Sequence, residues 1–302
     1  MNITFQQLKA FLAVAQHRHF SRAAEALALT QPAVSRSVRQ LEAELGFKLL
    51  DRTTREVVLT EAGKRVAASV GRSLSELEQA LFDSLHLNEG LRGRVRIATS
   101  PTISANLMPQ CIVQCGQQYP EIEIALHDQV QRLVLAGVQG GEVDFGVIIE
   151  PMAPSELECE PILVEPFLLV CAADHPLARR ATVDWQALSG EALVLLDYAS
   201  GSRPLIDRAL AAQGVQYRVA QEVGHSTTAF KMVAAGVGVS VLPALALPLP
   251  DHEALVARPL VPAVNRTVML VKRKNRSLSA AAETVWRLIR ERAAEFERAR
   301  GR

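Results

Sequence analysis

Apolar residues at Phe5, Leu8, Phe11, Leu12 and Ala15 recur at three- and four-residue steps, which predicts a helix over Phe5–Gln16 with one greasy face. A shorter helix follows, capped by Ser21 and burying Ala23, Ala24 and Leu27. In a third helix Val34, Val38, Leu41 and Leu45 fall in one narrow stripe at about 100° per residue. Thr30 stands at its cap, Pro32 lies in the first turn where a missing N–H costs nothing, and Gly46 stops it. The turn between the second and third helices is only about Ala28–Thr30. Lys48–Asp51 and Glu56–Leu59 read as two short strands joined by Arg52-Thr53-Thr54-Arg55, a β-hairpin wing. From Thr60 the stripe Val66, Val70, Leu74, Leu77, Leu81, Leu85 marks one long helix to about Asn88. Such a stripe, with nothing of its own chain to pack on, predicts pairing with the same helix of a second copy.

After Asn88–Gly93 (NEGLRG), a hinge, the period changes. Strand Val95–Thr99, helix Leu107–Tyr119, strand Ile122–Leu126, helix Gln129–Gln139 and strand Val143–Ile149 make a βαβαβ run, hence a parallel sheet covered by helices. Leu157–Cys171 is longer extended structure. A second alternating set follows: strand Leu193–Leu196, helix Arg203–Ala212, strand Tyr217–Glu222, helix Thr227–Ala235 and strand Val239–Leu242. Val268–Lys272 and Leu278–Phe296 are a last strand and helix. The expected fold class is therefore α/β: an N-terminal all-α winged helix-turn-helix at 1–60, a linker and dimerisation helix with hinge at 61–92, and a two-lobed domain at 93–302. Its first lobe takes about 93–162 plus 267–302 and its second about 163–266, with a cleft between them.

The third helix is two-sided. Opposite the apolar stripe lie Gln31, Pro32, Ser35, Arg36 and Arg39. Arg is the commonest partner of guanine, Gln can pair with adenine, and Ser reads either base or phosphate. An ordinary helical hairpin with a polar outer face is the competing reading. The flanking wing favours DNA, because Arg52 and Arg55 at its tip suit phosphate or minor-groove contact. The expected DNA contacts are Ser21, Arg22, Thr30, Gln31, Pro32, Ala33, Ser35, Arg36, Arg39, Arg52 and Arg55. Charge by segment agrees. Over the whole 302 residues the net charge is +1, yet residues 1–60 carry eight Lys/Arg against five acids, which is +3 and leaves the remainder at −2.

Other classes find little support. Half of the chain is hydrophobic, against disorder. The N-terminal MNITFQQLKAFLAVAQ lacks a basic region and a clean apolar stretch, so no leader is expected, and no apolar run is long enough for a membrane span. A cytosolic protein is the expectation. Cys111 and Cys115 could be half of a metal site, but no His or carboxylate cluster accompanies them, so they and Cys159 and Cys171 read as structural thiols. No cofactor is expected. Catalysis lacks a signature: there is no Gly-rich phosphate loop, metal-spaced His/Cys set or G-x-S-x-G elbow. The pairs Glu121/Glu123 and Glu158/Glu160 read as solvated strand faces, and His225 as a surface loop histidine.

With LKAFLAVAQ, FSRAAEALALTQPAVSRSVRQLEAELGFKLLDR and LTEAGKR in place between Phe5 and Gly63, the chain resembles the LysR-type transcriptional regulators. The likeness is strong to about Gly63 and looser to the C-terminus. It implies an effector domain of the periplasmic-binding-protein type, a homodimer through the linker helix that assembles as a dimer of dimers on DNA, and a small co-inducer in the cleft. A dimer predicts a promoter site with two-fold character in double-stranded DNA, and effector binding would reach RNA polymerase indirectly, through DNA bending. The peroxide-sensing branch of the family uses a cysteine pair in the second lobe. This chain has no cysteine between Ala172 and Arg302, so redox sensing is not expected.

Ligands in such a cleft meet loops at strand C-termini, where helix N-termini point inward. Three hydroxyl-rich loops qualify. They are Thr99–Ser104, Ala199–Arg203 and His225–Thr228. Serines and threonines start helices everywhere, but three such loops around one cleft favour an anion, a carboxylate or similar group. The expected effector contacts are Ser100, Thr102, Ile103, Ser104, Ser200, Ser202, Arg203, Ser226 and Thr227, with Arg203 as an ion partner. A constitutive DNA-binding regulator without an effector is the alternative, and a two-lobed cytosolic enzyme a more distant one.

Overall fold

The computed structural model describes residues 2–52, 57–85, 91–150, 156–250 and 253–300. They form two compact units, Met1–Leu87 and Asn88–Arg302.

In the first unit α1 (Phe5–His17), α2 (Phe20–Ala26) and α3 (Gln31–Leu45) pack around Phe11, Val14, Ala23, Val34, Val38 and Leu41, all 0% exposed. Thr4 and Gln7 close a capping box on α1. Two expected caps differ. α2 begins one residue before Ser21, and His19 caps it: its Nδ1 accepts from the Ser21 N–H at 3.2 Å. Thr30 is the N-cap residue of α3, but its hydroxyl makes no capping hydrogen bond. The reason is local: Pro32 has no N–H, and the Ala33 N–H already donates to the Thr30 carbonyl at 3.0 Å. A short antiparallel hairpin of β1 (Leu50–Arg52) and β2 (Val57–Leu59) follows, then α4 (Glu61–Leu85). Arg55 and the Arg52 side chain lie outside the described residues, as do the side chains of Leu81 and Leu85. The first half of α4 does find its own chain to pack on, contrary to expectation. α1 lies against it, Val66 and Ala67 join the head's core, and Leu74 is 6% exposed, while Leu77 further along is 47% exposed.

The wing is pinned to both neighbouring helices. The Glu42 carboxylate on α3 accepts from the Leu49 and Leu50 N–H groups at 2.9 and 3.1 Å. Gly63 on α4 passes so close to the hairpin that a Cβ there would collide with the Leu49 carbonyl oxygen.

The second unit is one curled mixed sheet of ten strands with helices on its faces. β3 (Gly93–Thr99) pairs in parallel with β4 (Ile122–Asp128) and β5 (Phe145–Ile149), with α5 (Pro101–Asn106), α6 (Met108–Gln118) and α7 (Gln131–Gly140) in the connections. β6 (Leu157–Ala172) then runs from one lobe to the other, with β7 (Val183–Asp184) after it. β8 (Ala192–Leu196), α8 (Arg203–Ala212), β9 (Arg218–Val223), α9 (Ser226–Ala234) and β10 (Val239–Pro243) build the second lobe, again parallel. The chain returns through β11 (Leu255–Val261) and β12 (Asn265–Arg273) to α10 (Ala280–Arg300). β6 pairs antiparallel with β12 from Leu157↔Arg273 to Pro166↔Asn265, and then with β10 from Phe167↔Pro243. The lobes thus share continuous crossing strands. The alternation of apolar strands and amphipathic helices is what the sequence predicts, since parallel strands buried on both faces must be apolar throughout. β5 and β10 are buried at every position.

Glu158 is exposed as expected, but Glu160 is half-buried and committed to partners. Glu160 accepts from Trp286 Nε1 at 2.8 Å and from Arg290 at 3.3 Å, and Glu158 lies 3.7 Å from Lys272. α10 folds back over β6 and supplies Trp286 and Arg290 from more than a hundred residues away, beyond the reach of local patterning.

Candidate functional sites

The outer face of α3 is laid out as its period demands. Gln31, Pro32, Arg36 and Arg39 are exposed, Ala33 and Ser35 half-buried, and Thr30, Ser21 and Arg22 exposed beside them. The face is partly preorganised: Arg39 folds back onto Ser35, Nη2 to Oγ at 3.2 Å and Nε to the carbonyl at 3.3 Å. Among the described residues neither Arg22 nor Arg36 has an ion-pair partner, so both guanidiniums are available to phosphates or base edges.

In the second unit the loops at the strand C-termini converge on a cavity of about 300 Å³ between the lobes. From the first lobe come Pro101, Thr102, Ala105, Asn106 and Asp128; from the second, His225, Ser226, Thr227, Phe230, Ala246, Pro248 and Pro250. Thr102 Oγ1 and Ser226 Oγ meet across the cleft at 3.2 Å. The two helices whose first residues line the cavity are uncapped by their own side chains: Ser100 before α5 and His225 before α9 make no side-chain cap. Their positive ends are therefore not neutralised locally.

The expected effector residues divide into three groups. Thr102, Ser226 and Thr227 line the cavity. Ser100, just before it, is 5% exposed, and its Oγ has no hydrogen-bond partner. The rest are turned to other work. Ile103, 0% exposed, belongs to the apolar core. Ser104 is hydrogen-bonded to Thr99, and Ser200 Oγ accepts the Ser202 N–H at 3.2 Å. Ser202, 0% exposed, accepts from Arg266 Nη1 at 2.7 Å. Arg203 is no free cation: it is 3% exposed, with Nε 2.8 Å from Asp207, and Nη1 2.9 Å from both Glu222 and the Leu196 carbonyl. The Tyr198 ring covers its guanidinium at 4.3 Å. Burial pulls the Arg203 pKa down, but the hydrogen bonds to Asp207 and Glu222 outweigh it and leave the pKa above its usual value.

Asn106, Asp128 and Phe230 are cavity residues that sequence reasoning passes over. Asp128 ends β4, so the strand-end rule applied to the first lobe's second loop would find it. Asn106 and Phe230 stand one helical turn after Thr102 and Ser226. His225 is exposed in its loop, as expected, and also lines the cavity.

Beneath the cleft, where the strands cross, lies a buried ion pair. Glu165 on β6 and Arg266 on β12 are register partners, both 0% exposed. Arg266 Nε donates to Glu165 Oε1 at 2.8 Å, and Nη2 lies 2.7 Å from the same oxygen without hydrogen-bond geometry. Glu165 Oε2 takes the Leu245 N–H.

The four thiols are unpaired. Burial pushes Cys111 up to about 12 and raises Cys115, Cys159 and Cys171 as well. No cluster of His, Cys, Asp and Glu among the described residues could hold a metal, and none of their helices is long and apolar enough to cross a membrane.

A helix-turn-helix head with a hairpin wing, joined in one chain to a two-lobed α/β domain with a cleft, defines a two-domain DNA-binding regulator. The family described as "LysR substrate binding domain" matches residues 88–294, and "Bacterial regulatory helix-turn-helix protein, lysR family" matches residues 5–64. The protein belongs to the LysR family of DNA-binding transcriptional regulators, with an effector-binding domain. It is 53% identical over 291 residues to the uncharacterized HTH-type transcriptional regulator YfeR of Shigella flexneri, covering 96% of this chain and 94% of that one. It is 34% identical over 299 residues to a hydrogen peroxide-inducible genes activator of Escherichia coli O6:H1, covering 97% and 96%. A full-length OxyR variant from Pseudomonas aeruginosa shares its fold with a TM-score of 0.76 at 26% identity, over 97% of this chain and 95% of that chain.

Proposed function

We propose that this regulator is a non-enzymatic homodimer that reads a two-fold promoter site and is controlled by a small carboxylate-bearing effector in the second-unit cleft. Gln31, Ser35 and Arg36 contact base edges, Arg39 is steered by Ser35, and Arg22, Arg52 and Arg55 take phosphates. The exposed Leu77 continues the α4 stripe that a second copy would cover. The division into a head at 1–60, a linker at 61–92 and an effector domain at 93–302 belongs to the same reading, as does its place in the cytoplasm.

The observation that carries the effector site is Ser100. A hydroxyl 5% exposed and without a hydrogen-bond partner, directly before cavity-lining Pro101 and Thr102, is costly unless something arrives to bond it. The uncapped starts of α5 and α9 at the same cavity favour a negatively charged group. Peroxide is not the signal in this reading. It attacks thiolates, and all four thiols here are shifted toward the protonated form.

Calorimetric titration of the full-length protein with a panel of organic acids tests the site. A carboxylate should bind, and binding should be lost with Ser100→Ala plus Thr102→Ala; unchanged affinity in that variant refutes the assignment. DNase footprints on the protein's own promoter should change with that ligand and stay unchanged with peroxide.

A further inference from the structure

We propose that the cleft ligand is a zwitterion of amino-acid type, its ammonium set against the Asp128 carboxylate and its carboxylate at the start of α9. This rests on reading the cleft as the effector site. The charge of the cavity carries it. Asp128 and His225 line the cavity, and no lysine or arginine is among its described lining residues. The two buried arginines of the same unit are committed elsewhere, Arg203 to Asp207 and Glu222, and Arg266 to Glu165. A plain organic acid entering here sets a second negative charge in the same cavity as Asp128, with no lysine or arginine among the described lining residues to offset it. Like charges that share one cavity repel. A ligand that brings its own ammonium removes the repulsion and pairs the aspartate.

The opposite pole is the start of α9. This helix has nine residues and no side-chain cap from His225, and its Ser226 and Thr227 line the cavity. Its positive end suits a carboxylate. Thr102 of the other lobe is already 3.2 Å from Ser226, hydroxyl to hydroxyl, so a carboxylate seated there finds donors from both lobes. Phe230 and Ala246 wall the same space with apolar surface, which suits a short carbon side chain.

The test is calorimetric titration of the full-length protein with each common L-amino acid. Each is run beside the 2-hydroxy acid that replaces its ammonium with a hydroxyl, and beside the amine that lacks its carboxylate. One amino acid should bind at least about tenfold more tightly than either analogue, the factor that one well-placed charge pair supplies. Asp128→Asn should erase the advantage over the hydroxy acid, and Asp128→Glu should keep most of it. Asp128 is exposed, so both variants should retain the wild-type melting temperature. The proposal is overturned if the hydroxy acid binds as tightly as the amino acid, or if Asp128→Asn leaves the discrimination intact. A hydroxy acid that binds, and is lost with Ser100→Ala plus Thr102→Ala, leaves the effector site standing and removes the ammonium. An amine that binds as tightly as the amino acid removes the carboxylate. Absence of binding by every probe removes both readings.

Discussion

Replacing Arg266 by alanine should unfold the second unit more readily than any single surface change. Arg266 and Glu165 are each 0% exposed, and Arg266 is also the donor to Ser202 at the start of α8. The substitution leaves the Glu165 carboxylate in the interior with the Leu245 N–H as its remaining bond, strands the Ser202 hydroxyl, and opens a void where the guanidinium lay. Removing one partner of a buried ion pair costs about 3–5 kcal/mol, because the other charge stays buried and uncompensated. In a unit the size of Asn88–Arg302, each kcal/mol moves Tm by about 2–4 °C, so a fall of roughly 6–20 °C is expected. Both tryptophans of the chain, Trp185 and Trp286, belong to this unit, so intrinsic fluorescence in a thermal scan reports its unfolding separately from that of the DNA-binding head. The double variant Glu165→Leu with Arg266→Met removes both charges at once. It keeps the orphaned Leu245 N–H, at about 1–3 kcal/mol, but should melt above Arg266→Ala. A single variant melting within about 2 °C of wild type, or a double variant no more stable than the single, would show that the uncompensated charge is not what the fold depends on.

Gly63→Ala should destabilise the head by about 1–3 kcal/mol, measured by urea denaturation followed by far-UV circular dichroism, because its Cβ would meet the backbone carbonyl of Leu49 rather than a yielding side chain. Arg36→Ala should relax base preference at one operator position by about 1–3 kcal/mol, read from gel-shift competition between operator and point-changed duplexes; equal weakening on all sequences would reassign Arg36 to phosphate. Burial raises the Cys111 pKa to about 12 from an ordinary value of 9.0, so the folded state holds this proton more tightly than the unfolded chain does. That contribution to stability is complete below about pH 9 and is lost as pH rises toward about 12. The alkaline fall in Tm should be shallower in Cys111→Ala, and an unchanged slope would contradict the burial argument.

The amino-acid sequence by itself determined the helix-turn-helix and its polar outer face. Both rest on contacts within a turn or two, where a period of 3.6 residues decides what is buried and what is not. Val34, Val38 and Leu41 are 0% exposed opposite Gln31, Arg36 and Arg39 for that reason. It also determined the alternation of strand and helix, since parallel strands covered on both faces must be apolar along their whole length. The wing's anchoring was less legible: that Glu42 would turn from α3 to the hairpin backbone depends on where the chain returns. The cleft was legible only as a set of loops. Which hydroxyls remain free there was decided by partners far away in the chain. Ser202 is taken by Arg266, 64 residues on, and Arg266 by Glu165, 101 residues back, while Thr102 meets Ser226 across 124 residues. Local pattern assigned Ser202 and Arg203 to a ligand because they stand at a helix start. Tertiary structure assigned them to buried bonds, because a charge or hydroxyl removed from water must be paired by whatever the fold brings beside it. Asp128, unremarkable at a strand end, became the charge that the cavity presents.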